Sequence, residues 1–173
     1  AASDVYKRQA MMSKIEYDKV LDIVDFANMM TYDLNGAWNG YTGHQTALYT
    51  NDSYNHETQQ DGQFSIDTCV SYLEDTYGDE IDYSKIVIGV APYTRGWAQV
   101  KDDGPDPENP GLYATAEPNS VKAADGTTSG TYAYGDIDEL ISKYQLKEYY
   151  DEKAQAAYYY SCLLYTSPSP RDI

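Results

Sequence analysis

The fold of this chain is decided by residues 25–34, which read Asp25-Phe26-Ala27-Asn28-Met29-Met30-Thr31-Tyr32-Asp33-Leu34. The run is largely apolar in its first half, and the turn residues Asn35-Gly36 follow it. A short apolar run bounded by Gly and Asn is typical of a strand that is covered on both faces. Tyr32 and Asp33 then lie at the carboxyl end of that strand, where barrels and open parallel sheets bind ligands.

A second strand of the same kind is predicted at residues 85–93, with a helix at 64–77 between the two strands. The helix has apolar residues at helical spacing on one face, namely Ile66, Cys69, Val70 and Leu73. The order strand, helix, strand predicts a βαβ unit, so the two strands should be parallel.

Three blocks in order along the chain carry a resemblance to a known family. Met30–Asp33 reads Met-x-Tyr-Asp, and Gly43–Leu48 reads Gly-His-Gln-Thr-Ala-Leu. Lys85–Trp97 fits the pattern K-I-x-x-G-x-x-x-Y-G-R-G-W, with Thr94 in place of the second Gly. These blocks resemble the sixth strand, the following loop and the seventh strand of the family 18 glycoside hydrolases, the chitinases, in their bacterial chitinase A-like branch. The resemblance implies an α/β fold: a partial (β/α)8 TIM barrel, comprising the sixth and seventh strands, with an α+β insertion domain.

Both ends of the chain read as translated sequencing-adapter DNA. Residues 4–9 and 162–167 back-translate into strings that are nearly reverse complements, and the strings match a transposon end used in library preparation. We therefore predict that residues 1–9 and 162–173 are not native. The natural fragment would then cover residues 10–161, with 10–97 in the barrel and 98–161 in the insertion domain, complete or in part.

The charge of the chain limits its partners. It carries 28 acidic and 12 basic residues, for a formal net charge of −16. So acidic a surface argues against nucleic acid or an anionic membrane as a partner and suits a neutral sugar. No apolar run approaches membrane-spanning length.

The cysteines and histidines give no sign of a disulfide framework or a metal site. Cys69 is the only cysteine outside the predicted adapter residues, and its place on the helix face favours a small buried apolar residue over a nucleophile. His44 and His56 are the only histidines and lie apart, so no metal constellation is predicted. We expect a structural hydrogen bond for His44 and exposure for His56. Neither the residues nor the resemblance implies a cofactor.

The resemblance assigns roles to residues at the end of the first strand. Tyr32 would bond the acetamido oxygen of the sugar being cleaved, and Asp33 would hold that distorted sugar. Read without the resemblance, the same pair could be a strand-end Tyr with a capping Asp. Met30 would form the floor of the same subsite or simply fill the core. Trp38, in the loop that follows, is a candidate platform for stacking a sugar ring.

Two further contacts are expected at the second strand. Tyr93 and Arg95 would end it and contact the sugar near the cleavage point, as the resemblance implies. Arg95 suits the task because its planar fork can hold hydroxyls or orient a carboxylate. Its alternative is an ion pair with one of the many carboxylates.

From residue 98 onward the sequence no longer follows the strand–helix pattern of the barrel. A helix is predicted at 136–145 with Asp136 at its cap, and Tyr-rich strands at 148–151 and 156–160. The family's catalytic signature D-x-x-D-x-D-x-E is not in this chain. Gly135–Glu139 resembles it only superficially, so Glu139 is given no catalytic role.

The sequence therefore predicts a fragment of a secreted chitinase. Its parent would hydrolyse β-1,4-linked N-acetylglucosamine polymers by a substrate-assisted retaining mechanism, and chitin or its oligosaccharides would be its partners. The chain alone is expected to be inactive and poorly stable. Two alternatives stay open: a non-catalytic chitin-binding lectin of the same fold, and a related hydrolase of peptidoglycan or an N-glycan core.

Overall fold

The computed structural model describes residues 12–51, 53, 64–122 and 130–168. The helices are α1 (Tyr17–Ile23), α2 (Ile66–Tyr77) and α3 (Ile137–Tyr144), and the strands are β1 (Ala27–Met29), β2 (Ile86–Ile88), β3 (Arg95–Ala98), β4 (Lys147–Asp151), β5 (Ala156–Ser161) and β6 (Leu164–Ser167). Short 3-10 segments lie at Gly78–Glu80, Tyr83–Lys85 and Tyr134–Asp136. The expectations for His56, for residues 1–9 and for residues 169–173 lie outside the described residues.

The βαβ unit predicted from the sequence is confirmed. β1 and β2 pair in parallel, with Ala27 opposite Ile86, and α2 lies between them in the chain. α2 begins after Ser65, whose hydroxyl accepts a hydrogen bond from the Thr68 amide at 3.1 Å, so one of the helix's unpaired amides is satisfied. It ends at Gly78, which has φ +49°. Both strands are three residues long, shorter than the sequence predicts.

The expectation that these strands are covered on both faces is wrong for this chain. One side packs under α1 and α2, where Leu21, Leu73 and Ile81 form a buried cluster. On the other side, Phe26 is 60% exposed and Val87 is 46% exposed. Within the described part of the chain, two parallel strands are too few to close a barrel over that side.

A second sheet is antiparallel, with strand order β3-β6-β5-β4. The strands predicted at 148–151 and 156–160 are confirmed as β4 and β5. Strand β6 lies between β3 and β5, and it is formed by residues predicted to derive from adapter DNA. That origin remains a prediction.

The expectation that Tyr93 and Arg95 end the second strand is wrong. β2 stops at Ile88, and Arg95 is the first residue of β3 in the antiparallel sheet. Pro92, which lies between them, has no amide hydrogen with which to continue a ladder. The expected domain boundary after Trp97 consequently falls inside β3.

The antiparallel sheet has an aromatic core. Trp97 is fully buried, packs edge-on to Tyr165 at 5.6 Å between ring centroids, and donates its indole hydrogen to the Asn39 carbonyl at 3.1 Å. Helix α3 covers a second cluster on the sheet through Ile137 and Leu140. The helix predicted near 136–145 is thus confirmed, although the Asp136 side chain makes no capping hydrogen bond.

Candidate functional site

An ion pair joins the two sheets at the carboxyl end of β1. Arg95 donates from Nε to Asp33 Oδ1 and from Nη2 to Asp33 Oδ2, both at 2.7 Å. The Arg95 side chain is 16% exposed and that of Asp33 is 31% exposed. Such a bidentate pair is stronger and more directional than a single contact. Asp33 has φ +56°, an unusual conformation for a residue other than Gly, and such strain often accompanies function.

Aromatic rings flank the guanidinium of this pair. Arg95 Cζ lies 5.2 Å from the centroid of the Trp38 ring and 5.2 Å from that of Tyr93, within the range of cation–π attraction. Tyr32 meets Tyr93 edge-on, with 6.4 Å between their centroids. The Trp38 ring lies against Gly36, where any Cβ would come within 2.3 Å of it. Trp38 nevertheless remains 47% exposed and can offer ring surface to a ligand.

Electrostatics keep Tyr93 and Arg95 protonated. Burial, followed by a hydrogen bond to Asp33 and its negative charge, raises the pKa of Tyr93 to about 12, although the Arg95 guanidinium opposes the shift. The hydrogen bond to Asp33 likewise raises the pKa of Arg95. The cluster therefore presents a phenol and a guanidinium as donors, with Asp33 as their shared acceptor.

Five of the six predicted site residues gather in this cluster, and Met30 lies elsewhere. The structure brings together Tyr32, Asp33, Trp38, Tyr93 and Arg95. Met30 instead lines an apolar cavity of about 690 Å³ beside α1, β1 and α2, with Leu21 and Leu73 among its other lining residues.

The loop after β1 is bonded both to the residues that follow β1 and to the segment between β2 and β3. The Gln45 side-chain amide donates to the Tyr93 carbonyl, and the Gln45 carbonyl accepts from the Leu34 amide at 2.8 Å. The Thr46 hydroxyl donates to the Thr31 carbonyl at 2.8 Å. Residues 45 and 46 thus hold the segments that carry Tyr32, Asp33 and Tyr93.

Beside this loop lies a buried polar network that the sequence did not predict as a unit. Asp151 Oδ2 accepts hydrogen bonds from His44 Nε2 at 3.0 Å and from Asn51 Nδ2 at 2.7 Å. Its Oδ1 accepts from the amides of Lys153 and Ala154 at 3.0 and 3.2 Å. The structural role expected for His44 is confirmed. An Asp at the start of a hairpin turn is a recognisable Asx-turn signal, but its pairing with His44 has no local signature.

These bonds decide the charge of Asp151. Burial alone would raise its pKa, but the hydrogen bond and charge of His44, with the bonds from Asn51 and Ala154, lower the pKa to about 2. Because a carboxylate only accepts, His44 Nε2 carries the hydrogen in this pair.

The described ranges contain neither a cluster of metal-ligating side chains nor a membrane-spanning helix. Across residues 12–51, 53, 64–122 and 130–168, three or more His, Cys, Asp or Glu side chains nowhere gather closely enough to hold a metal ion. Within the same ranges, the helices are too short or too polar to cross a membrane.

Comparison with known proteins assigns the chain to a family. The model of glycosyl hydrolases family 18 matches residues 1–166. Chitinase A of Pseudoalteromonas piscicida is 31% identical over 192 aligned residues, covering 91% of this chain and 23% of that protein. The chain spans about a quarter of the length of the curated relatives it matches.

Solved structures agree with the sequence comparison. A family 18 N-acetylglucosaminidase from Paenibacillus barengoltzii superposes with a TM-score of 0.69 at 26% identity, over 92% of this chain and 41% of that one. Chitinase ChiA74 from Bacillus thuringiensis gives a TM-score of 0.70 at 25% identity, over 92% and 26%. The parallel strands and the connecting helix are therefore parts of a shared barrel-type fold, and the chain belongs to glycosyl hydrolases family 18.

Proposed function

We propose that this chain is part of a chitinase that hydrolyses β-1,4-linked N-acetylglucosamine polymers with retention of configuration. The observation that carries the proposal is the Asp33–Arg95 pair, set between the Trp38 and Tyr93 rings at the carboxyl end of a parallel strand. In barrels of parallel strands, that end is where chemistry takes place. Related proteins bear the names chitinase and N-acetylglucosaminidase.

The proposed reaction uses the substrate's own acetamido group as nucleophile. Its carbonyl oxygen attacks the anomeric carbon while the glycosidic C–O bond breaks, and a glutamic acid protonates the departing oxygen. Water then opens the oxazolinium intermediate, with the glutamate now accepting a proton. That glutamate belongs to the D-x-x-D-x-D-x-E signature, which these 173 residues do not contain.

The clustered side chains suit the task of holding the distorted sugar. In this proposal, Tyr32 donates to the acetamido oxygen, and Asp33 keeps the acetamido group and the bent ring in place. The Arg95 and Tyr93 donors bind hydroxyls around the ring, and Trp38 stacks against its apolar face. Holding the attacking oxygen close to the anomeric carbon contributes to catalysis by limiting unproductive orientations.

The proposal extends to the rest of the cleft and to the parent protein. Residues 98–161 would form the insertion that walls one side of the cleft, and Met30 would line the cleft in the complete barrel. The parent protein would be secreted and would bind chitin. The chain by itself would not hydrolyse chitin, because the proton donor is missing.

The test begins with a long sequencing read outward from codons 10 and 161 of the source DNA. The recovered full-length protein is then assayed for release of soluble sugars from colloidal chitin. We expect Asp33→Asn to lower kcat/KM about 100-fold, the scale typical of losing one positioned polar contact in a transition state. Glu152→Gln is the matched control, because it removes the same charge from an exposed site in the β4–β5 turn.

The outcomes separate the alternatives. An acid at the signature position together with chitin hydrolysis that depends on Asp33 supports the enzyme. A non-acid at that position, with retained chitin binding and no hydrolysis, identifies the lectin instead. Hydrolysis of peptidoglycan or an N-glycan core in preference to chitin would refute the proposed substrate, and equal activity of the Asp33→Asn and Glu152→Gln variants would refute the proposed site.

A further inference from the structure

Arg95 makes a side-chain hydrogen bond in addition to those with Asp33. Its Nη1 donates to the Thr131 hydroxyl at 2.7 Å, while Nε and Nη2 donate to Asp33. All three guanidinium nitrogens are therefore engaged, and they contact two residues that are 98 positions apart in the sequence. Nothing in the sequence motifs points to Thr131.

Thr131 belongs to a segment that runs along the residues leading into β3. We call residues 130–134 the strap. Its backbone contacts are the Tyr134 N–Pro92 O and Thr94 N–Tyr132 O hydrogen bonds, at 3.0 and 2.8 Å, and a bridge between Tyr93 and Ala133. The strap is thus fixed by backbone bonds to the stretch that carries Tyr93 and Arg95, and its position does not rely on the Thr131 side chain.

A close backbone approach sets the position of Thr131 along the strap. Gly130 has φ +60°, and a Cβ there would come within 2.2 Å of the Gly96 carbonyl oxygen. Only Gly permits that approach at a positive φ. Since Gly96 follows Arg95 and Gly130 precedes Thr131, the contact brings the hydroxyl of Thr131 to the guanidinium of Arg95.

We propose that Thr131 is a positioning residue that locks the Arg95 guanidinium for sugar binding. Thr131 acts through Arg95. The sugar part of the proposal rests on the proposed function, whereas the lock itself rests only on the contacts described above. Removal of the Thr131 hydroxyl takes away the acceptor of Arg95 Nη1, in a side chain that is only 16% exposed. Nη1 then turns toward water, and this rotation weakens the hydrogen bonds from Arg95 to Asp33.

The lock is tested first in the unaltered chain. In a ¹⁵N NMR experiment on labelled arginine, a held guanidinium shows slow rotation about its Cζ–Nη bonds, and we expect this for Arg95. Thr131→Val keeps the shape and removes the hydroxyl, and it should speed the rotation of Nη1 about tenfold, as expected for a lost bond to a charged group. Thr131→Ser keeps the hydroxyl and should retain slow rotation. Thr76→Val, at an exposed site on α2, is the control for the same chemical change.

The second measurement is kinetic and uses the full-length enzyme on N-acetylglucosamine oligosaccharides. We expect Thr131→Val to raise KM about tenfold with a smaller change in kcat, and Thr131→Ser to restore KM. Slow rotation without any activity on these sugars would refute the proposed function and leave the lock standing. Fast rotation of Arg95 in the unaltered chain, with folding confirmed by its circular dichroism spectrum, would overturn the lock even if the valine variant failed to fold. Equal rotation of Arg95 in the Thr131→Val and Thr76→Val variants would overturn it as well.

Discussion

Replacement of Asp151 by Asn should destabilise the chain severely although the size of the side chain hardly changes. The carboxylate accepts four hydrogen bonds, two on each oxygen. An amide has one acceptor oxygen, so two of these four donors must lose their partner at residue 151. At about 1–3 kcal/mol for each unsatisfied group, the free energy of unfolding should fall by about 3 kcal/mol.

The same hydrogen bonds lower the pKa of Asp151, so their contribution to stability should depend on pH. Its pKa is about 2 in the folded chain against a reference value of 3.8, which corresponds to roughly 2 kcal/mol of stability at neutral pH. Because the folded pKa is lowered, this stability is fully present above about pH 4 and is lost as the pH falls towards 2. The difference between the unaltered chain and Asp151→Asn should therefore shrink across that window.

Urea unfolding followed by far-UV circular dichroism, at pH 7 and at steps between pH 4 and 2, measures both effects. Glu152→Gln is the control, since it removes an exposed charge from the adjacent position and should change stability by less than about 0.5 kcal/mol. If Asp151→Asn matches this control at pH 7, or if its deficit does not change with pH, the buried network does not stabilise the fold as argued.

Three further predictions concern a helix cap, core packing and a buried hydrogen bond, and each is checked by the same urea experiment. Ser65→Ala removes the acceptor for the Thr68 amide and should cost about 1 kcal/mol, with no loss if the cap is irrelevant. Leu73→Ala removes most of a side chain that is 1% exposed and should lower the free energy of unfolding by about 2–5 kcal/mol. A smaller loss would mean that the cluster around Leu73 is loosely packed. Trp97→Phe leaves the Asn39 carbonyl without its indole donor and should cost at least about 1 kcal/mol, whereas a neutral result would contradict the role of that bond.

Local sequence patterns were sufficient to predict the elements whose stabilising contacts lie within one stretch of the chain. Helix α2 is specified by its apolar spacing and its Gly78 end, and the hairpin β4–β5 by alternating Tyr-rich strands. The parallel pairing followed from the order of elements alone. The same reasoning failed at Arg95, because the motif-like run from Lys85 to Trp97 gives no sign that the chain changes sheets within it.

Contacts between distant residues account for what the sequence could not reveal. His44 and Asp151 are 107 positions apart. Arg95 and Thr131 are bonded, but no sequence motif links the two positions. Exposure of Phe26 was also missed, because an apolar strand shows that a face is suited to burial without showing which residues of the chain would cover it.

The Asp33–Arg95 ion pair is also a rigid link between the two sheets. Asp33 follows a strand of the parallel pair, while Arg95 opens a strand of the antiparallel sheet. Any shear between the sheets at this point must stretch two charge-assisted bonds at once, so the sheets are expected to move as one body here. A relative displacement of the two sheets is therefore expected to be smallest at the Asp33–Arg95 ion pair.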